Sequence, residues 1–226
     1  MGEKCVILKP DFAASLERYK RSIRFDCLDD AQSEALQLFE DAGRALEPKV
    51  MLRECFIDSH TLIDSLPSVV VGSHTFSGKA LKMLDEVNRI FVYVATCGDE
   101  TEHFDLSDSD MLAPYWLDVI KRQSLTVAMR ELRSYLRTHY MINSPRSLNP
   151  GSGNVDIWPV DQQKPLFDLL GGAGRIGVRL NDSCLMTPNK SLSGFMFSLP
   201  RSDWESCAYC ERENCPDRRV KFEKTL

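Results

Sequence analysis

Three observations predict an α+β fold, a mostly antiparallel sheet with flanking helices. Helical and strand-like stretches are segregated along the chain instead of alternating strictly. Long helical periodicities fill residues 31–46 and the stretch ending near residue 140, whereas residues 176–199 break into short strand-like runs between turn signals. With 226 residues, 43% apolar and 27% charged, the chain has the size and composition of a globular protein. A chain of this length buries roughly 70% of its unfolded surface. The expected division is a single domain over 1–200 and a cysteine-containing tail over 201–226.

The first element is a short strand at 6–9, followed by a helix at 11–23 in which Phe12, Leu16 and Tyr19 recur at spacings of three and four. Residues 31–46 form a clearer helix, capped by Asp29 or Asp30, with Ala35, Leu38, Phe39 and Ala42 on one face. Pro48 stops it. Strands are expected at 50–57 and 69–71, then a helix at 76–87 that leads into the β-branched and aromatic run 90–95. After the acidic loop 99–110 a long helix runs to about Tyr140 on a stripe of Leu125, Ala128, Met129, Leu132 and Leu136. Arg122, Arg130, Arg133 and Arg137 point away from that stripe, onto a solvated face or toward an anionic partner. Residues 143–159 are dense in Pro, Gly, Ser and Asn, which predicts a loop of tight turns. A short helix at 161–170 is closed by Gly171 and Gly172, and 176–199 reads as an antiparallel hairpin or three-stranded unit.

Charge and apolar patterning exclude several classes of function. Twenty-eight Lys and Arg against 33 Asp and Glu give a net charge of -5, so no global positive field holds a phosphate backbone and nucleic acid is not the expected partner. The longest apolar stretch, 90–97, has the length of one strand and cannot cross a bilayer as a helix, so no membrane span is expected. The first ten residues lack the apolar centre of a signal peptide, which makes a cytoplasmic location the expectation. In a reducing compartment the eight cysteines are core residues, ligands or catalysts rather than disulfides. Cys5, Cys27, Cys55, Cys97 and Cys184 lie among apolar residues and read as small buried hydrophobes. His60, His74, His103 and His139 are far apart and form no paired-ligand or nucleophile motif; no catalytic set is assigned. His103, in the acidic loop, reads as surface.

Two stretches do carry binding chemistry. Cys207 and Cys210 are separated by two residues and Cys215 follows, a spacing with which thiolates grip one metal ion from a single turn. The fourth position falls to Cys184, a histidine, water or an outside molecule; zinc, an iron–sulfur cluster and metal-free thiols all remain open. The second stretch is the loop Arg146-Ser-Leu-Asn-Pro150-Gly151-Ser152-Gly153. Its glycines let backbone amides approach a ligand, and its arginine can fork onto a carboxylate through two parallel hydrogen bonds, as an amino-acid-bearing ligand requires. The spacing is neither a phosphate-binding loop nor a dinucleotide fingerprint.

Residues 146–200 resemble the activation domain of cobalamin-dependent methionine synthase. RSLNPGSGNVDIWPVDQQKPLFDLL (146–170) is similar to the family's Arg-containing Pro-Gly loop and the helix after it. GVRLNDSCLMTPNKSLSGFMFSLP (177–200) is similar to its Met-x-Pro, Ser-x-Ser-Gly and aromatic strand, and is the more specific block. The resemblance implies the family's α+β fold and S-adenosylmethionine binding. It places Arg146 on the methionyl part of the ligand, Pro150 and Gly151 at the family's Pro-Gly, and Trp204 over the adenosyl group. Ser152 stands where the family has a tyrosine, and one extra residue separates Arg146 from Gly151. The cysteine tail resembles the ending of small stand-alone relatives in corrinoid-using anaerobes.

The implied function is reductive methylation, returning cob(II)alamin on a partner to its methylated form. The chain lacks the Asp-x-His-x-x-Gly signature that would carry the corrinoid. The implied partners are therefore a corrinoid-binding protein or truncated methionine synthase, and an electron donor protein. Two alternatives are an iron–sulfur electron-transfer activator of a corrinoid protein and a non-catalytic scaffold that retains the fold.

Overall fold

The computed structural model describes residues 5–152, 157–199, 206–210, 214, 215, 218 and 220–223. In chain order the elements begin with strand β1 (Val6–Leu8), helices α1 (Leu16–Ile23) and α2 (Gln32–Ala45), and strands β2 (Lys49–Phe56), β3 (Ser59–Ile63), β4 (Leu66–Val71), β5 (His74–Ser77) and β6 (Arg89–Thr96). Helix α3 (Ala113–Tyr140), strand β7 (Arg146–Leu148), helix α4 (Gln163–Leu170) and strands β8 (Arg179–Leu180), β9 (Met186–Thr187) and β10 (Ser191–Phe197) follow. The fold is α+β, with antiparallel pairing in every sheet described. The main sheet runs β1-β2-β6-β10-β7, a second one β3-β4-β5, and β8 pairs with β9.

The central strand explains the layering. β6 is apolar on both sides because both faces of the sheet are covered, and a residue exposed to neither side needs no polar alternation. Phe91, Tyr93 and Ala95 pack with Val50 and Leu52 of β2 against Ala128, Leu132 and Leu136 of α3. Ile90, Val92 and Val94 face the other way, into a core shared with Phe76 of β5, Leu166 of α4, Trp158, and Phe195 and Phe197 of β10. Tyr19, Ala35 and Trp116 bury the far side of α3 under α1 and α2. One face of the sheet thus carries α3, with α1 and α2 on top of it, and the other face carries α4.

Several elements differ from expectation for identifiable reasons. Helix α1 starts at Leu16, not residue 11, because Ser15 caps it: its hydroxyl accepts from the Arg18 N–H at 3.4 Å. Neither Asp29 nor Asp30 caps α2; both lie in a 3-10 turn, Asp29 has φ 44°, and Ala31 holds the cap position. The helix expected at 76–87 is the end of β5 followed by a 3-10 helix, Lys79–Leu84, because Phe76 is taken into the ladder opposite Val69. β3 pairs with β4 through a two-residue turn in which Asp64 and Ser65 both have positive φ, at 50° and 65°. That turn type is usually signalled by Asn-Gly or Asp-Gly, so Asp-Ser went unread. At 176–199 the three runs split: β8 and β9 form a hairpin, while β10 joins the main sheet between β6 and β7. Cys27 is exposed; Cys55, Cys97 and Cys184 are buried and Cys5 half-buried.

Candidate functional site

The loop predicted over 143–159 contains a strand. β7 adds to the edge of the main sheet, with Leu148 opposite Phe195, Ser147 opposite Met196 and Arg146 opposite Phe197. Residues directly opposite share a face. Arg146 and Leu148 therefore stand on the side of the sheet that holds Phe195, Phe197 and Trp158, and Arg146 is half-buried there.

β7 lies this close to β10 only because residue 194 is glycine. A Cβ on Gly194 would land on the Leu148 carbonyl and the Asn149 amide. Asn149 crosses at that point and ties three segments together. Its Nδ2 donates to the Tyr93 hydroxyl at 2.7 Å and to the Ser193 carbonyl at 2.7 Å. The Ser193 hydroxyl in turn donates to Gln163 Oε1 at 3.1 Å, and Gln163 Nε2 donates to the Cys184 carbonyl at 3.0 Å. This chain of bonds, buried throughout, fixes where the following turn begins.

The turn itself is Asn149-Pro150-Gly151-Ser152. The Ser152 N–H donates to the Asn149 carbonyl at 3.1 Å and Gly151 has φ 75°, as a type II turn with Pro and Gly at its centre requires. Any other residue at 151 would be strained by that φ, and its Cβ would press on the Val160 side chain at 3.0 Å. The Gly151 N–H donates to the Trp158 carbonyl at 2.8 Å, which ties the turn to the buried Trp158. Trp158 is 1% exposed and is wedged edge-on to Phe76 and against Phe195, with ring centroids 6.4 and 4.9 Å away.

Arg146 thus lies in the edge strand β7, and Pro150, Gly151 and Ser152 lie in the turn that follows it, bonded to the buried Trp158 segment. Gly153 and Trp204 lie outside the described residues. Sequence reasoning missed Asn149, Gly194, Ser193 and Gln163; the signals were a polar residue directly before Pro-Gly and a Ser-Gly pair inside an apolar strand.

Residues 146–221 match the family model of the vitamin B12 dependent methionine synthase activation domain. The matched segment contains the Pro-Gly turn, β10 and the three tail cysteines, and leaves residues 1–145 outside it. Among solved structures the chain is similar to the reactivation domain of MetH bound to AdoHcy, with a TM-score of 0.59 and 15% identity over 90% of this chain and 81% of that one. At that identity the likeness is one of fold. No curated protein matches the chain.

In the tail, Cys207 lies in a 3-10 helix, Ser206–Tyr209, and Arg218 donates to the Cys207 carbonyl at 2.9 Å and the Cys210 carbonyl at 2.7 Å. Cys207, Cys210 and Cys215 are free and half-buried. Among the described residues no three His, Cys, Asp or Glu side chains stand together as metal ligands. His103 is exposed. No helix among the described residues is long and apolar enough to cross a membrane.

Proposed function

We propose that this protein binds S-adenosylmethionine at the Arg146–Ser152 edge and presents it to a corrinoid on a partner, supporting reductive methylation of cob(II)alamin. The observation that carries the reading is the coincidence of the family match with the Pro150-Gly151 turn, pinned by Asn149 and Gly194 at the sheet edge. S-adenosylmethionine supplies a methyl group on a cationic sulfur; the partner's corrinoid, once reduced by a donor protein, accepts it.

The chain's own residues then have a positioning task. Arg146 would clamp the ligand carboxylate through paired hydrogen bonds. The Pro150-Gly151 turn brings bare backbone next to it, so that the ligand lies against main chain rather than side chains. Trp158, Phe195 and Phe76 pack on one another in the core behind the edge and support the segment that the turn is bonded to. Holding two reactants in line is itself a large rate factor and needs no general base. The partner, a corrinoid-binding protein or truncated methionine synthase, would dock over this edge.

Isothermal titration tests the reading. S-adenosylmethionine should bind the intact chain, and Arg146→Ala should weaken it by about 1.5–3 kcal/mol through loss of a charge-assisted pair. A heat-silent intact chain at millimolar ligand would refute it. Elemental analysis of anaerobically prepared protein, with Cys210→Ser as control, decides separately whether the tail takes up zinc or iron.

A further inference from the structure

Far from the sheet edge, α1 and α3 enclose an open cleft of about 760 Å³. Four arginines line it. Arg18 and Arg21, three apart on α1, share one face, and Arg122 and Arg130 lie two helical turns apart on α3 with Thr126 between them. Among the described residues no aspartate or glutamate lines the cleft. Among the described residues none of the four guanidinium groups has a carboxylate within ion-pair distance, whereas the half-buried Lys49 and the buried Lys121 each hold one at 2.6 Å. In a chain of net charge -5, such a gathering of like charge is a local cost that a bound anion would remove.

The cleft is also built to a fixed width. Gln123 grips the start of α1 with both ends of its amide: Oε1 accepts from the Ser15 N–H at 2.7 Å and Nε2 donates to the Ser15 carbonyl at 3.3 Å. At the other end of α1 the Tyr115 hydroxyl donates to the Ser22 carbonyl at 2.8 Å. Helix α1 is therefore anchored on α3 at both ends, and the arginines face each other across a gap that side-chain collapse does not close. Phe12, Val119 and Val127 give the cleft an apolar part beside the cationic one.

We infer that this cleft is a second ligand site, separate from the Arg146 edge, for a phosphorylated small molecule of nucleotide size. Its volume falls in the range of small-molecule sites. Guanidinium groups match phosphate oxygens with paired hydrogen bonds, and four of them suit a di- or triphosphate better than a single carboxylate. Phe12 and Val119 would then cover the apolar body of the ligand. A concave site favours a small molecule over a flat docking partner.

The test is titration of the full chain with ATP, ADP, inorganic triphosphate and adenosine at low and high salt. ATP, ADP and triphosphate should bind and adenosine should not, with affinity falling as salt rises. The double variant Arg18→Gln, Arg122→Gln removes two unpaired surface charges, so it should fold with an unchanged circular dichroism spectrum. It should lose affinity for all three polyphosphates by on the order of a hundredfold. Its affinity for S-adenosylmethionine should be unchanged, which separates this site from the one proposed above. Failure of all three polyphosphates to bind at millimolar concentration would overturn the inference. So would equal binding by the folded double variant, or tighter binding of an acidic peptide such as polyglutamate than of any polyphosphate.

Discussion

At Gly194 one hydrogen atom in place of a methyl group decides whether β7 can lie beside β10. Gly194→Ala puts a Cβ on the Leu148 carbonyl, backbone that cannot rotate away, so β7 must shift as a unit. Overpacking of that kind costs about 1–3 kcal/mol, and because Asn149 and the Pro-Gly turn ride on β7, S-adenosylmethionine affinity should fall with it. Urea melts and titration on the same variant would show both losses; full stability with intact binding would contradict the role given to Gly194. Cys97 illustrates a different single-residue effect. It is fully buried, and burial pushes its thiol up to about 12, with the charge of Lys121 working in the opposite direction. The thiolate is the reactive form, so native protein should label at exposed Cys27 with a thiol reagent and leave Cys97, Cys55 and Cys184 untouched until denaturant is added. Mass spectrometry of the labelled peptides checks it.

Where β2 begins and β6 ends, the two strands share one cation. Lys49, opposite Thr96 in the ladder, reaches Glu100 at 2.6 Å, Glu47 at 3.4 Å and Asp99 at 3.8 Å. Burial alone would lower its pKa, but the hydrogen bond and charge of Glu100, backed by Glu47 and Asp99, outweigh it and hold the ammonium above its ordinary value. A lysine raised in the folded state adds stability below its unfolded pKa and loses it as pH climbs through the folded one. Lys49→Met, which strips three carboxylates of their shared cation, should cost about 1–3 kcal/mol at neutral pH. The gap between the two proteins should narrow in melts above the ordinary lysine value of 10.5. The long elements were legible because their patterns are redundant. α3 repeats its apolar stripe over 28 residues, and β6 is a continuous apolar run, so no single residue had to be read correctly. Short elements depend on partners. β7 is three residues long in a stretch rich in Pro, Gly and Ser, and only its ladder with β10 makes it a strand. The site followed the same division: Arg146, Pro150 and Gly151 were visible by residue type, while Asn149 and Gly194 acquire meaning only when β7 crosses β10.

Across the whole chain, the buried clusters draw on residues between 19 and 197, and the packed partners of those clusters end at Leu199. Among the described residues of the tail, Ala208 is buried and apolar and belongs to none of the three clusters. The division expected from the sequence, a folding unit over 1–200 and a separable tail over 201–226, can be tested even though the family match extends through 221. A chain ending at residue 200 should keep its α+β circular dichroism spectrum and a single cooperative melt, with Tm lowered by no more than about 4 °C, since roughly 1 kcal/mol shifts a chain of this size by 2–4 °C. Ligand binding should respond differently. Truncation removes Trp204, the aromatic residue placed over the adenosyl group by the family resemblance, while leaving Arg146 and the Pro-Gly turn in place. Titration of the truncated chain should therefore show weaker S-adenosylmethionine binding, by roughly 1–3 kcal/mol for the loss of one stacking side chain. Restoring affinity with a chain extended to 210, but not with the same chain carrying Trp204→Ala, would assign that loss to the indole. A truncated chain that fails to melt cooperatively would instead make the tail part of the fold, and would move Arg218 and its bonds to the Cys207 and Cys210 carbonyls from an appendage to a structural staple.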